Sequence, residues 1–235
     1  MSTIDFTTTT ALVTGANRGF GRHLAEQLVQ RGATVYAAAR NPESVTLDGV
    51  RPLRLDITDP ASVAAAAAQA SDVTLLINNA GISTGASVLT SDVADLRREF
   101  DTHVFGTLDV TRAFVPVIEA NGGGTILNVL SVLSWITFPP VGAYSAAKSA
   151  EWSMTNALRA ELAPRNIRVS GLHVGYMDTD MTAGVEAEKS DPAAVAKLTL
   201  DELGAGAYEI LADELSQQVR AGLAGGVAAL YPALP

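Results

Sequence analysis

The stretch Thr10-Ala11-Leu12-Val13-Thr14-Gly15-Ala16-Asn17-Arg18-Gly19-Phe20-Gly21 decides the fold. A short apolar run ends in a glycine-rich turn and passes straight into a helical pattern that reaches Gln30. Glycines let a backbone turn sharply and approach a pyrophosphate. The helix N-terminus then offers free N–H groups and the positive end of its dipole. The spacing is Gly15-x-x-x-Gly19-x-Gly21. A glycine turn alone serves equally as a structural corner. Its place directly after a first strand points to a dinucleotide.

Working outward, further apolar runs at 34–38, 50–55, 73–78, 125–129 and 168–173 alternate with helical patterns at 60–69, 92–119 and 143–163. Continuous Val, Ile and Leu mark strands buried on both faces, as in parallel sheets. Strand–helix alternation implies right-handed crossovers. The expected fold is α/β: one Rossmann-type, doubly wound parallel sheet with helices on both faces. Residues 1–235 form a single dinucleotide-binding and catalytic domain, with a substrate-loop segment at about 176–206.

Local signals refine this frame. Asp59-Pro60 and Asp191-Pro192 place an N-cap carboxylate before proline at a first helical position. The long helix from Asp92 carries Val93, Leu96, Phe100, Val104, Leu108, Thr111 and Val115 at 3–4 spacing, which predicts one packed face. The stretch 182–203 reads as an acidic, irregular insert. Residues 209–213 read as a short last strand, 213–223 as a helix and 224–235 as a loose apolar end.

Bulk properties exclude several functions. The 235 residues carry a formal net charge of −9, which disfavours nucleic acid as a partner. There are no cysteines, hence no thiolate metal site and no cysteine nucleophile. No metal site is expected. Residues 1–10 lack the pattern of a signal peptide, and no stretch approaches the roughly 20 apolar residues of a membrane span. The expected location is cytoplasmic, without a membrane partner.

Charge also selects the cofactor. A carboxylate after the second strand would bind the ribose 2′-hydroxyl of NAD. Here that end reads Ala38-Ala39-Arg40-Asn41. Arg40 suits a 2′-phosphate, and Arg18 in the glycine loop adds a second cation, so NADP(H) is favoured over NAD(H). Two solvated arginines remain the plainer alternative. Asp56, beside Ile57 at the end of the third strand, can accept from an adenine amino group or cap the next turn.

Tyr144 and Lys148 stand four residues apart and share a helix face. A nearby ammonium favours the phenolate and so brings the tyrosine closer to working pH, as a general acid or base requires. Ser131 follows the strand at 125–129, where ligands collect in parallel sheets. Together, Thr14-Gly15-(three)-Gly19-(one)-Gly21, Asn78-Asn79-Ala80-Gly81, Ser131 and Tyr144-(three)-Lys148 resemble the short-chain dehydrogenases/reductases, from about residue 10 to about 180.

The resemblance implies roles. Tyr144 exchanges the proton with a carbonyl or alcohol, Lys148 holds the nicotinamide ribose and tunes Tyr144, and Ser131 orients the substrate oxygen. Gly15, Asn17, Arg18, Gly19, Phe20, Gly21, Arg40, Asp56, Ile57, Asn79, Ala80 and Gly81 line the cofactor. Gly175, Met177 and Thr179 stand where the family contacts the carboxamide. The resemblance also implies a homodimer or homotetramer through the two long helices, with Phe114 and Trp152 suited to the contact.

Three departures stand out. His103 occupies the place of the family's relay asparagine, either as a satisfied buried histidine or as a substitute in the relay. Val174-Gly175 replaces a Pro-Gly turn, which predicts a slightly looser turn, and the usual final Asp-Gly-Gly stretch is missing. The substrate pocket is expected from Leu133, Trp135, Phe138, Val141, Tyr176 and Met181, which suits a small hydrophobic ketone, aldehyde or alcohol. The leading function is an NADP(H)-dependent carbonyl reductase or alcohol dehydrogenase. A catalytically weak NADP(H)-binding regulator on the same fold is the alternative. A glycine-loop methyltransferase would leave Tyr144 and Lys148 idle.

Overall fold

The computed structural model describes residues 3–139 and 141–232. Seven strands form one parallel sheet in the order β3-β2-β1-β4-β5-β6-β7. They are β1 (Thr10–Thr14), β2 (Thr34–Ala39), β3 (Arg51–Arg54), β4 (Leu75–Asn78), β5 (Gly124–Val129), β6 (Ile167–His173) and β7 (Glu209–Leu211). The chain winds outward from β1 to β3, then returns to β4 on the other side of β1. That reversal opens a crevice at the carboxyl ends of β1 and β4, where ligands bind in such sheets.

Alternation along β1 divides the core into two layers. Ala11 and Val13 face α1 (Gly19–Gln30) and α6 (Pro192–Ala205), packing on Leu24, Leu28, Leu200 and Leu203. Leu12 faces the opposite layer with Leu76, Val110, Phe114, Ile118 and Leu158. That layer holds α2 (Pro60–Gln69), α4 (Thr107–Ala120) and α5 (Gly142–Leu162). The expected fold and the β7 strand are therefore found. The caps are found too: Asp59 and Asp191 each accept from the backbone N–H two residues on.

Three expectations change. The helix from Asp92 is not continuous: α3 (Val93–Phe100) passes through a π turn at Asp101–Gly106 into α4. Its buried side is Glu99, His103, Thr107, Val110, Thr111, Phe114, Val115 and Ile118, whereas Val93 is 56% exposed. Polar residues fill the inward positions of the first half, so an apolar stripe could not reveal them. Phe114 is fully buried in the core and cannot serve a subunit contact. The segment read as an irregular insert holds α6, because Asp191 caps it and Val195, Leu200 and Leu203 bury one face.

The tail is also more ordered than expected. Helices α7 (Glu214–Gly222) and α8 (Gly226–Leu230) follow β7. Residues 233–235 of that tail, and Pro140 of the expected pocket loop, lie outside the described residues. No helix among the described residues is long and apolar enough to cross a membrane.

Candidate active site

The glycine loop places a bare helix end in the crevice. Arg18 is the N-cap of α1 and makes no side-chain cap bond, so the first N–H groups of the helix remain for an anion. Gly15 and Gly19 have φ of +66° and +53°, a region that side chains other than glycine's adopt at a cost. At Gly21 a Cβ would fall 2.4 Å from the Gly15 carbonyl oxygen and from the Asn79 amide nitrogen. This tight cradle fits a dinucleotide pyrophosphate.

The Asn78–Gly81 segment braces the crevice. The Asn79 amide donates to the Thr14 carbonyl at 2.8 Å, and the backbone of Asn79 and Ala80 donates to the Thr14 hydroxyl. Asn78, buried, donates to Asn128 on β5 and to Thr111 on α4. These bonds tie the carboxyl ends of β1, β4 and β5 to one another and to the N-terminal half of α4.

Ser131 and α5 supply the candidate catalytic groups. The Ser131 hydroxyl accepts from the Leu133 backbone at 3.1 Å and so caps a short turn after β5. Buried Ala143 and Ala147 let α5 lie close behind this turn. Tyr144 and Lys148 follow one helical turn apart. The Ser131 side chain lies beside the Tyr144 phenol and favours its ionised form. The Lys148 ammonium stands 5.9 Å from the phenol ring centre. It donates to the Val129 carbonyl at 2.8 Å and to Glu151 Oε2 at 2.7 Å.

The electrostatics correct one expectation. Lys148 does favour the phenolate, but burial pushes Tyr144 above its ordinary value, and the Glu151 and Glu99 charges add to the rise. Burial alone would lower Lys148; the charges of Glu151, Tyr144 and Glu99, with the Glu151 hydrogen bond, together outweigh it and hold the ammonium above its usual value.

His103 sits in the π turn, with its ring edge on the Tyr144 ring at 5.2 Å between centres. Its Nε2 lies 2.8 Å from the Ile82 carbonyl and 3.3 Å from Glu99 Oε2. A π turn is a frequent mark of functional helices. Glu99 is fully buried and accepts from the Thr84 backbone and hydroxyl. Those bonds and His103 hold Glu99 below the usual carboxylate range, although burial pushes the other way.

Other expected residues take plainer places. Asp56 caps its turn through bonds from Thr58, which with its neighbouring arginines keep it below the usual range despite burial. Arg40 is exposed after β2, next to Asp56. Arg18 reaches across the crevice to Asp180 at 3.2 Å. The turn after β6 is pinned rather than loose, because the Gly175 N–H donates to Asp213 at 2.6 Å. Met177 and Thr179 lie in the loop beyond it, where Met177 bridges to Ser190. Thr179 comes within ordinary contact of a Cβ built on Gly19, so this loop borders the phosphate cradle.

Of the expected pocket residues, Leu133 and Trp135 are buried. Trp135 stacks on His173 at 3.7 Å between ring centres and meets Trp152 edge-on, so it packs behind Ser131 instead of lining a pocket. Phe138 and Met181 are exposed, and Val141 and Tyr176 are half-buried.

The profile of the short chain dehydrogenase family matches residues 9–190. The chain belongs to this family. A trans-4-hydroxycyclohexanecarboxylate dehydrogenase of Sinomonas cyclohexanicum is 34% identical over 195 residues, 75% of each chain. Carbonyl reductase (NADPH) 2 of Sus scrofa is 32% identical, covering 83% of this chain and 81% of that one. A short-chain dehydrogenase of Burkholderia cenocepacia, solved with NADP, is 39% identical with a TM-score of 0.94 and covers 99% of this chain and 100% of its own. One from Burkholderia phymatum, solved with NAD, is 26% identical with a TM-score of 0.86 over 99% of each chain. Membership makes the chain an oxidoreductase.

The candidates Ser131, Tyr144 and Lys148 were legible in the sequence. Glu99 and Glu151 were not. Single acids on helices read as solvated faces, and only the packing of the π turn against α5 turns them inward.

Proposed function

We propose that this chain is an NADP(H)-dependent carbonyl reductase or alcohol dehydrogenase acting on a small hydrophobic substrate. What carries the reading is the meeting of Ser131, Tyr144 and Lys148 at the carboxyl end of β5 beside the uncapped N-terminus of α1. The dinucleotide supplies or takes the hydride. Tyr144 gives a proton to the carbonyl oxygen, or takes one from the alcohol. Ser131 orients that oxygen, and Lys148 stabilises charge beside the phenol and holds the ribose. The cradle of Gly15, Asn17, Gly19, Phe20, Gly21, Asn79, Ala80 and Gly81 holds the diphosphate side, with Asp56 and Ile57 towards the adenine and Gly175, Met177 and Thr179 towards the nicotinamide.

Arg40 and Arg18 select the 2′-phosphate. The Arg18–Asp180 pair is exposed, so it exchanges for a phosphate at little cost. His103 stands in for the relay asparagine; an unaltered pH–rate profile in His103→Asn contradicts that part. Val141, Tyr176, Phe138 and Met181 shape the apolar entrance. Subunits meet through the outward groove of α4 and α5, where half-buried Leu108 and Met154 line the surface offered to a partner. Sedimentation as a monomer contradicts this contact.

A panel of apolar ketones with NADPH or NADH tests the function. We expect turnover with a preference for NADPH that Arg40→Ala reduces. A panel without any turnover overturns the reading.

A further inference from the structure

The catalytic ammonium carries a buried carboxylate. Lys148 and Glu151 lie one turn apart on α5 at 2.7 Å, with side chains 6% and 2% exposed. With the Val129 carbonyl also bound, two of the three ammonium N–H groups are committed. Glu151 Oε2 in turn faces His103 Nδ1 at 4.0 Å, and the other ring nitrogen faces Glu99. Glu99, His103, Lys148 and Glu151 are all buried.

The charges that act on the Tyr144 phenol come from two elements. Lys148 and Glu151 face it from α5, and Glu99 from α3; His103 touches its ring from the π turn, and Ser131 adds a neutral hydroxyl from the turn after β5. One ammonium therefore confronts two carboxylates in a space with little water. A phenolate would add a further negative charge there, with the nearest cation already paired. Burial and like charge both disfavour that state.

We propose that Glu151, with Glu99 behind His103, is a positioning pair that neutralises Lys148 and holds Tyr144 in its proton-donating form through neutral and alkaline pH. The inference rests on the reading of Tyr144 as the general acid and base. In reduction the carbonyl carbon gains a hydride from NADPH, which leaves as NADP+. The carbonyl oxygen gains the phenol proton as the phenol O–H bond breaks, and the phenolate regains a proton from water. Oxidation needs the phenolate first, so this charge arrangement delays it to more alkaline pH.

The test compares wild type with Glu151→Gln and Glu99→Gln. Ketone reduction and alcohol oxidation are followed against pH, and the phenol is titrated by ultraviolet difference against the matching Tyr144→Phe protein. Without the Glu151 charge, Lys148 acts on the phenol unopposed. The alkaline fall of reduction, the alkaline rise of oxidation and the phenol titration then all move to lower pH, by about one unit or more in Glu151→Gln. Glu99→Gln moves them the same way by less, and carries the test if Glu151→Gln does not fold. Rates that fall in both directions with the limbs in place mark a purely structural role and overturn the proposal, as do limbs that move to higher pH. If wild type turns over no substrate, the proposed reaction fails on its own. The phenol titration still decides this inference: a Tyr144 transition that stays in place overturns it.

Discussion

The ring of His103 lies so close to Gly81 that a Cβ there would fall 2.7 Å from Cε1. The ring cannot retreat freely, because Nε2 is held at the Ile82 carbonyl and the edge rests on Tyr144. Gly81→Ala should therefore destabilise the fold by about 1–3 kcal/mol through overpacking. Denaturant unfolding measures this, and Gly81→Ala with His103→Ala should recover most of the loss. A Gly81→Ala protein as stable as wild type would show that the contact is loose.

Asp180 holds Arg18 on the far side of the crevice, with side chains 77% and 70% exposed. Asp180→Asn should leave stability within about 0.5 kcal/mol. It should tighten NADPH a few-fold while leaving NADH unchanged, since only the former offers Arg18 a 2′-phosphate to grip. Fluorescence titration of both nucleotides reads this. Equal shifts for the two would mean that Arg18 does not recognise the 2′-phosphate.

Asp213 does two jobs. One oxygen accepts from the Gly175 N–H, and the other accepts from the Ser216 N–H at the start of α7. Asp213→Ala removes a cap and leaves the Gly175 donor unpaired, which should cost about 1–3 kcal/mol. Asp213→Asn keeps an acceptor and should cost less. Thermal unfolding of the two variants against wild type checks the order.

His173 is buried, stacked on Trp135 and bonded through Nδ1 to the Ser131 carbonyl. Burial pushes its imidazole from 6.5 down to about 4. The unfolded chain thus takes up this proton near pH 6.5 and the folded chain only near pH 4. Its share of stability is complete above pH 6.5 and is lost as pH falls through this window, about 3 kcal/mol in all. Chemical denaturation at pH 7 and pH 4.5 should show His173→Gln losing less stability on acidification than wild type. Equal losses would mean that His173 is not the group responsible.

Strands β1 to β6, the caps at Asp59 and Asp191, and the glycine cradle could all be read from local patterns. Each depends on neighbours in the chain: apolar runs, Asp-Pro pairs, and glycines where φ turns positive. What escaped depends on distant contacts. Glu99 and Glu151 look like surface acids until α3 packs on α5. The π turn has no residue code, so the packed stripe through Phe100 and Val104 was placed one residue away from Glu99 and His103. Trp135 reads as an apolar pocket wall, but its partner His173 is 38 residues further along the chain. Helix α6 was hidden by its acidic approach, although Asp191-Pro192 announced its start.

The proton on Tyr144 is the centre of the proposed chemistry. Its most direct test is steady-state reduction of a hydrophobic ketone by NADPH in wild type and Tyr144→Phe, with nucleotide affinity measured in both. Phenylalanine keeps the ring against His103 and removes only the donor. NADPH binding should stay within a few-fold, while kcat should fall at least about a hundredfold. A Tyr144→Phe protein that turns over at the wild-type rate would contradict the assignment of the proton to Tyr144.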